Sequence, residues 1–255
     1  LFRKRTGLNA VGVIEPAEQV RRQVIVAGHH DSSYVFGFFS RFESLAGLRF
    51  LLAVLFYIFI TVLAVMAAWE NAFYTSTRAL NGAMLWVALA GLVFTVPMFF
   101  FVSTKVSPGA GDNLNGSSIA VHVGRYFSAG GDAGTLLRHT RLIVVSTDGE
   151  EAGQRGAMDF AKRHRDELFS VPTRVINIDS VYNLKDLAVL IRDRHGLVPL
   201  SRETAAICRE AACETGVTLK TVKMPFGSGT DAAAFAKEGI EAVTIIGMPT
   251  SLFCS

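Results

Sequence analysis

Cysteine is scarce in this chain: Cys208, Cys213 and Cys254 are the three among 255 residues, and no Cys-x-x-Cys occurs. Three thiols cannot all pair with one another, and Cys208 and Cys213 stand five apart, off the spacing that shares a helix face. The cysteines therefore argue for neither a thiolate zinc site nor an oxidising compartment. Charge is scarce as well, at 18% of residues, and 25 Lys and Arg against 22 Asp and Glu leave +3. The densest basic groups are Arg3-Lys4-Arg5 and Lys162-Arg163-His164-Arg165, so no basic stripe exists and nucleic acid is not an expected partner. The 7 prolines and 23 glycines fall without a period, which excludes collagen-like and low-complexity character. No repeat of about 20 to 50 residues is visible either.

Apolar residues are abundant, at 50%, and a mean hydropathy of +0.36 is high for a soluble enzyme. The excess is concentrated. Phe50 to Trp69 is 20 residues without a charge, bounded by Arg49 and Glu70. As a helix rising 1.5 Å per residue it covers about 30 Å, the hydrocarbon thickness of a bilayer. A second uncharged stretch, 79–104, lies between Arg78 and Lys105, and its Pro97 kinks a span without preventing insertion. Trp69 and Tyr74 sit where an interfacial belt would place them. We expect a helical hairpin in the lipid bilayer, the alternative being two buried core helices of a large soluble protein. The expected division is residues 1–40 as the first part of a catalytic domain, 41–105 as the inserted hairpin, and 106–255 as the remainder. The chain starts at Leu1 rather than Met and stops just past a strand-like run, so both ends are expected to continue. The expected localisation is multi-pass integral membrane. Arg41, Arg49 and Lys105 on the domain side, against Arg78 in the short loop, favour a cytoplasmic catalytic domain.

Outside the insert, short β-branched runs alternate with helical patterns. Val24–Ala27, Leu142–Val145, Val175–Ile178, Leu187–Ile191 and Ala242–Ile246 read as strands buried on both faces. Ser117–Phe127, Ala152–Leu168, Leu200–Glu214 and Thr230–Lys237 read as helices. The expected fold class is α/β, a mixed, mostly parallel sheet with helices on both faces. Ligands in such sheets bind beyond the carboxyl ends of the strands. Polar residues gather at those ends.

After the first strand comes His29-His30-Asp31, where period-two alternation points His29 and Asp31 to one face and His30 to the other. A carboxylate beside an imidazole fixes the tautomer for metal binding, although a lone strand-end His is also commonly structural. The glycine-lined loop Gly109-Ala110-Gly111-Asp112-Asn113 runs into a helix that Asn115 or Ser117 would cap, or else it offers the Asp112 carboxylate to cations. Glu150-Glu151, followed by Gly153 and Gly156, either complements a helix dipole or divides labour between metal ligation and proton transfer. Asp179 closes a buried strand, and a nearby cation would offset the cost of burying its charge.

In this order, His29-x-Asp31, Gly109-x-Gly-Asp112-Asn113-x-x-Gly116, Glu150-Glu151-x-Gly153-x-x-Gly156 and Asp179 resemble the M28 family of co-catalytic zinc aminopeptidases and carboxypeptidases. The resemblance covers essentially the chain outside the insert. It implies that His29, Asp112 and Asp179 hold one zinc and that Asp112 bridges to a second zinc also held by Glu151. It further implies that Glu150 is the general base, that Asp31 orients His29, and that the Asp112–Asn113 peptide bond is cis. The implied activity is hydrolysis of a terminal bond in a peptide substrate; a non-catalytic membrane scaffold and single-zinc amide chemistry, such as cyclisation or transamidation, are the rivals.

Three departures stand out. The family's second zinc usually takes a His after the last strand, and none occurs in the nine residues following Ile246, so that ligand is expected beyond Ser255, the alternative being a degenerate second site. Gly227-Ser228-Gly229-Thr230-Asp231-Ala232 resembles the family's Ser-Asp-rich stretch near the substrate pocket without its usual His, which leaves no role assigned to Asp231. The hairpin itself occupies what is usually a short loop. Lys105 to Asp112 is a step of seven residues, at most about 25 Å extended, so the metal site is expected near the membrane surface.

Overall fold

The β-branched runs become the centre of one eight-stranded sheet in a computed structural model that describes residues 6–35, 43–73, 78–96, 99, 102–129, 135–224 and 228–247. Its strands are β1 (Ala10–Ile14), β2 (Arg22–His29), β3 (Thr140–Thr147), β4 (Thr173–Val181), β5 (Ala188–Asp193), β6 (Val198–Pro199), β7 (Lys220–Lys223) and β8 (Glu241–Gly247). They lie in the order β1-β3-β2-β4-β8-β5-β6, with β7 beside β5. The four central strands, β3, β2, β4 and β8, are mutually parallel, so their carboxyl ends share one edge. Strands β1, β5 and β6 join antiparallel. All five expected strands are present. Those not foreseen are the edge strands: β1 leaves Val11 and Val13 about half exposed, and β6 and β7 are only two and four residues long.

Alternation along the central strands makes two faces. Ile25, Ala27, Ile143, Val145 and Val175 pack with Phe160 and Phe235 from helices α4 (Arg155–Arg163) and α7 (Ala232–Lys237). On the other face, Val26, Leu142, Val144 and Ile178 meet Ala120 of α3 (Asn115–Ser128), and Val189 and Val243 meet Ala205 and Cys208 of α6 (Arg202–Glu214). The expected 152–168 helix is two helices. After α4 the chain kinks at His164 (φ −99°, ψ 15°) and continues as α5 (Arg165–Phe169), which turns Leu168 into the core. Nor do Asn115 and Ser117 cap α3. The Asn113 carboxamide accepts from Gly116 N at 3.1 Å, while Asn115 reaches Val181 O and Ser117 reaches the Gly28 and His29 carbonyls. Glycine is required at residue 28, where a Cβ would lie 2.6 Å from the Gly116 carbonyl carbon and 2.7 Å from Ser117 N. That gap lets the start of α3 sit directly on β2.

The chain divides into two compact units, Leu1–Ser32 with Pro108–Ser255, and Ser33–Ser107. The second unit is closed at its base by backbone bonds from Val35 N to Lys105 O, Ser103 N to Val35 O and Ser107 N to Ser33 O. It carries α1 (Glu43–Phe73) and α2 (Arg78–Thr95). They pack where Gly91 leaves room for the Phe56 ring, since a Cβ there would stand 1.6 Å from Phe56 Cζ. Leu51–Trp69 has the length and mean hydropathy, 2.8, to cross a membrane. The second expected span, 79–104, is shorter: its helix ends at Thr95, ahead of Pro97, which cannot donate a helical hydrogen bond. Ser103 and Lys105 belong instead to the extended base of the unit. Residues 74–77, with Tyr74, and Cys254 lie outside the described residues.

Candidate metal centre

Strand β2 delivers His29, 1% exposed, to the carboxyl edge of the sheet. Its Nε2 stands 3.1 Å from Asp112 Oδ1, 3.9 Å from Asp179 Oδ1 and 3.9 Å from Glu150 Oε2. Asp179 comes from the end of β4 and is buried; Asp112 comes from the loop before α3 and is half exposed. That loop is held by Asn113, fully buried, which donates from Nδ2 to Ile178 O at 2.8 Å and accepts at Oδ1 from Gly116 N and Ser180 N. The peptide bond between Asp112 and Asn113 is cis. Two neighbours fix the remaining groups. Ser180, in the left-handed region at φ 48°, donates from its hydroxyl to Asp179 Oδ1 at 3.0 Å.

Asp31 has a wider task than the sequence suggests. Its Oδ1 is 3.4 Å from His29 Nδ1, and its backbone carbonyl lies 3.1 Å from the same nitrogen. The carboxylate also accepts two backbone N–H groups, Glu150 N at Oδ1 and Glu151 N at Oδ2, so it pins the turn that presents both glutamates. His30 points away and meets Ser146 Oγ at 2.9 Å, a structural contact.

The electrostatics call for a cation. Burial works against charge on His29, but the Asp112 and Asp31 contacts, with the charges of Asp179 and Glu150, outweigh it and raise its pKa to about 12. Burial, then the negative charges of Asp231 and Asp179, push Glu150 up to about 9. Burial is also the main cause that takes Asp179 to about 7. Asp31 is lowered: its burial is outweighed by the His29 contact and the two backbone N–H bonds. An imidazole and acids at such close range stabilise one another only when positive charge lies among them.

The donor set fits zinc. One ligand atom from each of His29, Asp112 and Asp179 lies within 4.8 Å of the others. Ligands about 2 Å from a tetrahedral ion stand roughly 3.4 Å apart, close to the spacing seen, and imidazole with carboxylate is a usual zinc pairing. Glu151, the expected second-ion ligand, is exposed and lies outside that three-residue group.

The sequence profile of Peptidase family M28 matches residues 97–252, more than half the chain. The chain belongs to Peptidase family M28. No curated protein matches its sequence. Among solved structures it is similar to the LapA aminopeptidase of Legionella pneumophila (13% identity, TM-score 0.55, covering 95% of this chain and 44% of that one). It is similar also to BSAP, a zinc aminopeptidase from Bacillus subtilis (16%, 0.55, 97% and 41%). A third is the aminopeptidase from Aneurinibacillus sp. strain AM-1 (16%, 0.53, 94% and 39%). These likenesses show the fold, and the M28 chain spans about two fifths of each of those proteins.

Two further groups lie at this M28 site: Asp231, to which no role is assigned from the sequence, and Tyr182, which the sequence did not single out. Asp231, fully buried at the start of α7, accepts from the Thr147 hydroxyl, and its Oδ1 has no hydrogen-bond partner among the described residues. Its charge is the largest acting on Glu150. Tyr182, just past β4, lies against the Asp112 loop. Spacing gave no signal for Tyr182. For Asp231 the signal was the stretch that resembles the family's, but nothing in it marked the side chain as inward.

Proposed function

We propose that this M28 chain is the catalytic part of a membrane-anchored, zinc-dependent exopeptidase, an aminopeptidase, that hydrolyses a terminal peptide bond with Glu150 as general base. The observation that carries it is the placement of the Glu150 carboxylate, 12% exposed, 3.9 Å from the imidazole of a His29–Asp112–Asp179 group whose spacing suits a zinc ion. His29, Asp112 and Asp179 would hold one zinc and Asp112 with Glu151 a second; bound zinc lowers the pKa of water toward 7 and polarises a carbonyl. Glu150 Oε2 takes the proton of the attacking water and passes it to the leaving amine. Asp31 keeps Glu150 at that station through the two N–H bonds of the 150–151 turn. The raised pKa of Glu150 belongs to the metal-free arrangement, where its acid neighbours lack a counter-charge. Dications nearby would bring it down into working range as a base.

The membrane anchor rests on α1. Only 11% of its apolar window is buried, and Leu51, Leu55, Ile58, Phe59, Val62 and Met66 are all exposed. A soluble core helix of that composition would bury those side chains. Peptide and lipid are therefore the proposed partners.

A single-zinc reading, with amide chemistry such as cyclisation or transamidation, is favoured by one observation: Glu151 lies outside the three-residue group. Elemental analysis separates the two, since two zinc ions per chain support the exopeptidase and one supports the rival. The direct test is cleavage of a peptide with a free N-terminus alongside its N-acetylated form. Loss of the first residue from the free peptide alone is the expected result, and no cleavage of either by zinc-loaded protein would overturn the proposal.

A further inference from the structure

Strand β1 is an edge strand that leaves Val11 and Val13 about half exposed, so apolar burial does not account for it. Its pairing points to another task. β1 runs antiparallel to β3 with Ala10 opposite Ser146, so the residues ahead of it, Gly7, Leu8 and Asn9, arrive at the carboxyl edge of the sheet. There they meet the loop that follows β3, residues 148–156, which carries Glu150 and Glu151.

That loop enters the left-handed region at Gly149 (φ 70°), Gly153 (φ 97°) and Gln154 (φ 64°). A non-glycine residue holds such a conformation only where its surroundings impose it. The ends of the loop are joined by Gly156 N donating to Asp148 O at 2.9 Å, and the Asn9 carboxamide spans the same ends. Its Nδ2 donates to Gly156 O at 2.9 Å, and its Oδ1 accepts from Asp148 N at 3.0 Å. Leu8 N adds a bond to Asp148 Oδ2 at 3.0 Å. The fit is close, since a Cβ on Gly156 would stand 2.2 Å from Asp148 O and 2.5 Å from Asn9 Oδ1. Asp31 holds the loop at the Glu150 and Glu151 amides, and Asn9 holds it at both ends.

Resting on the exopeptidase reading above, we propose that Asn9 is a positioning residue, whose carboxamide ties the two ends of the 148–156 loop and so keeps the Glu150 carboxylate at its station beside the His29–Asp112–Asp179 group. Asn9 acts through the loop and not on the substrate. The task needs one donor and one acceptor on a short side chain, which a carboxamide supplies and a carboxylate does not. A reacting group misplaced by about 1 Å can cost about 10²-fold in rate, so a clamp of this kind bears on kcat. The edge strand β1 is then the element that delivers Asn9.

The test compares native full-length protein in its membrane with Asn9→Ala, Asn9→Asp and Leu168→Ala, the last a core truncation in α5 that controls for lost stability. With zinc loaded and rates read well below each thermal midpoint, Asn9→Ala should lose about 10- to 10²-fold in kcat with KM within about two-fold, while Leu168→Ala keeps native kcat. Asn9→Asp leaves no cavity, and its carboxylate accepts from Asp148 N but cannot donate to Gly156 O, so kcat should fall about 10-fold. Residue-resolved hydrogen exchange on metal-free protein reads the loop without activity. The Glu150 and Glu151 amides, bonded to Asp31 rather than to Asn9, should exchange faster in both Asn9 variants, and those of β4 should match native. Native kcat in Asn9→Ala or Asn9→Asp would overturn the role of Asn9, as would native exchange at Glu150 and Glu151; cleavage by the native protein would leave the exopeptidase reading standing. An equal kcat loss in Leu168→Ala, or faster exchange throughout β4, would also overturn it, by making Asn9 a general support of the fold. Native zinc-loaded protein that cleaves no free N-terminus would overturn both, and that arm is read without any variant.

Discussion

Glu150→Gln should move activity and stability in opposite directions. The side chain is 12% exposed, and its surroundings raise its pKa from 4.5 to about 9 in the metal-free protein. For a carboxyl raised on folding, the stability is fully present below about pH 4.5, where folded and unfolded chains both hold the proton. It is lost as pH climbs through about 9. At pH 7 the unfolded chain has released that proton and the folded chain has not. The penalty is the interval from 4.5 to 7 multiplied by ~1.4 kcal/mol per pH unit, or about 3 kcal/mol. Gln has the same shape and no proton to lose. Metal-free Glu150→Gln should therefore exceed native stability by up to about 3 kcal/mol at pH 7, and by nothing at pH 4. At roughly 2–4 °C per kcal/mol for a chain of this size, the thermal midpoint rises by roughly 6–12 °C.

Scanning calorimetry on chelator-treated protein in lipid nanodiscs, from pH 4 to 8, reads that difference. Zinc-loaded hydrolysis reads the other, where loss of the proposed general base should cost about 10²- to 10⁴-fold in kcat. A midpoint difference that stays flat with pH would show that Glu150 is not held protonated by its neighbours. Undiminished hydrolysis by the Gln variant would remove it from proton transfer altogether.

Gly28→Ala should destabilise by about 1–3 kcal/mol, because the new methyl meets the backbone of Gly116 and Ser117 rather than a movable side chain; urea unfolding of the variant checks it. Asn113→Ala should cost a similar amount and release zinc more readily, since Ile178 O, Gly116 N and Ser180 N lose their shared partner and the Asp112 loop its fastening. Zinc retention during dialysis against a weak chelator reads the second effect. Asp112→Asn should abolish zinc retention at the His29 site, measured by elemental analysis, while leaving the sheet folded by circular dichroism. Extraction at high pH should leave the native chain in the membrane pellet, and Leu55→Arg with Val62→Glu should shift it to the supernatant, since both side chains are exposed on the apolar helix.

The strands that build the site were legible because each is buried on both faces, and a continuous β-branched run such as Val24–Ala27 has few other solutions. Edge strand β1 was not, since Val11 and Val13 face outward and the run Ala10–Ile14 contains a glycine, so neither burial nor alternation marks it. The end of α2 shows a similar limit. Composition alone carried the uncharged stretch to Thr104, whereas the helix ends at Thr95 because backbone donors matter as much as hydropathy, and Pro97 has none. At the site, strand ends and loop glycines singled out His29, Asp112 and Asp179 as candidates, and the resemblance to the M28 family joined them as ligands. Asp31 was read as a partner of His29, but its two bonds to the 150–151 turn join residues about 120 apart, a contact that only the fold creates.

The arrangement as a whole explains why these acids are tolerated together. Asp179 and Asp231 are both buried, and Glu150 lies between their charges, so any two ionised at once repel in a medium that screens poorly. Without a cation, protons must take up part of that charge, which is what the raised Glu150 and Asp179 and the protonated His29 express. A dication displaces those protons and so binds more weakly as pH falls. The same exchange would free Glu150 for the proton transfer proposed for it. Folding cost, metal affinity and catalytic protonation state are thus one linked equilibrium, set chiefly by the burial of Asp179 at the end of β4 and of Glu150 behind the turn that Asp31 holds.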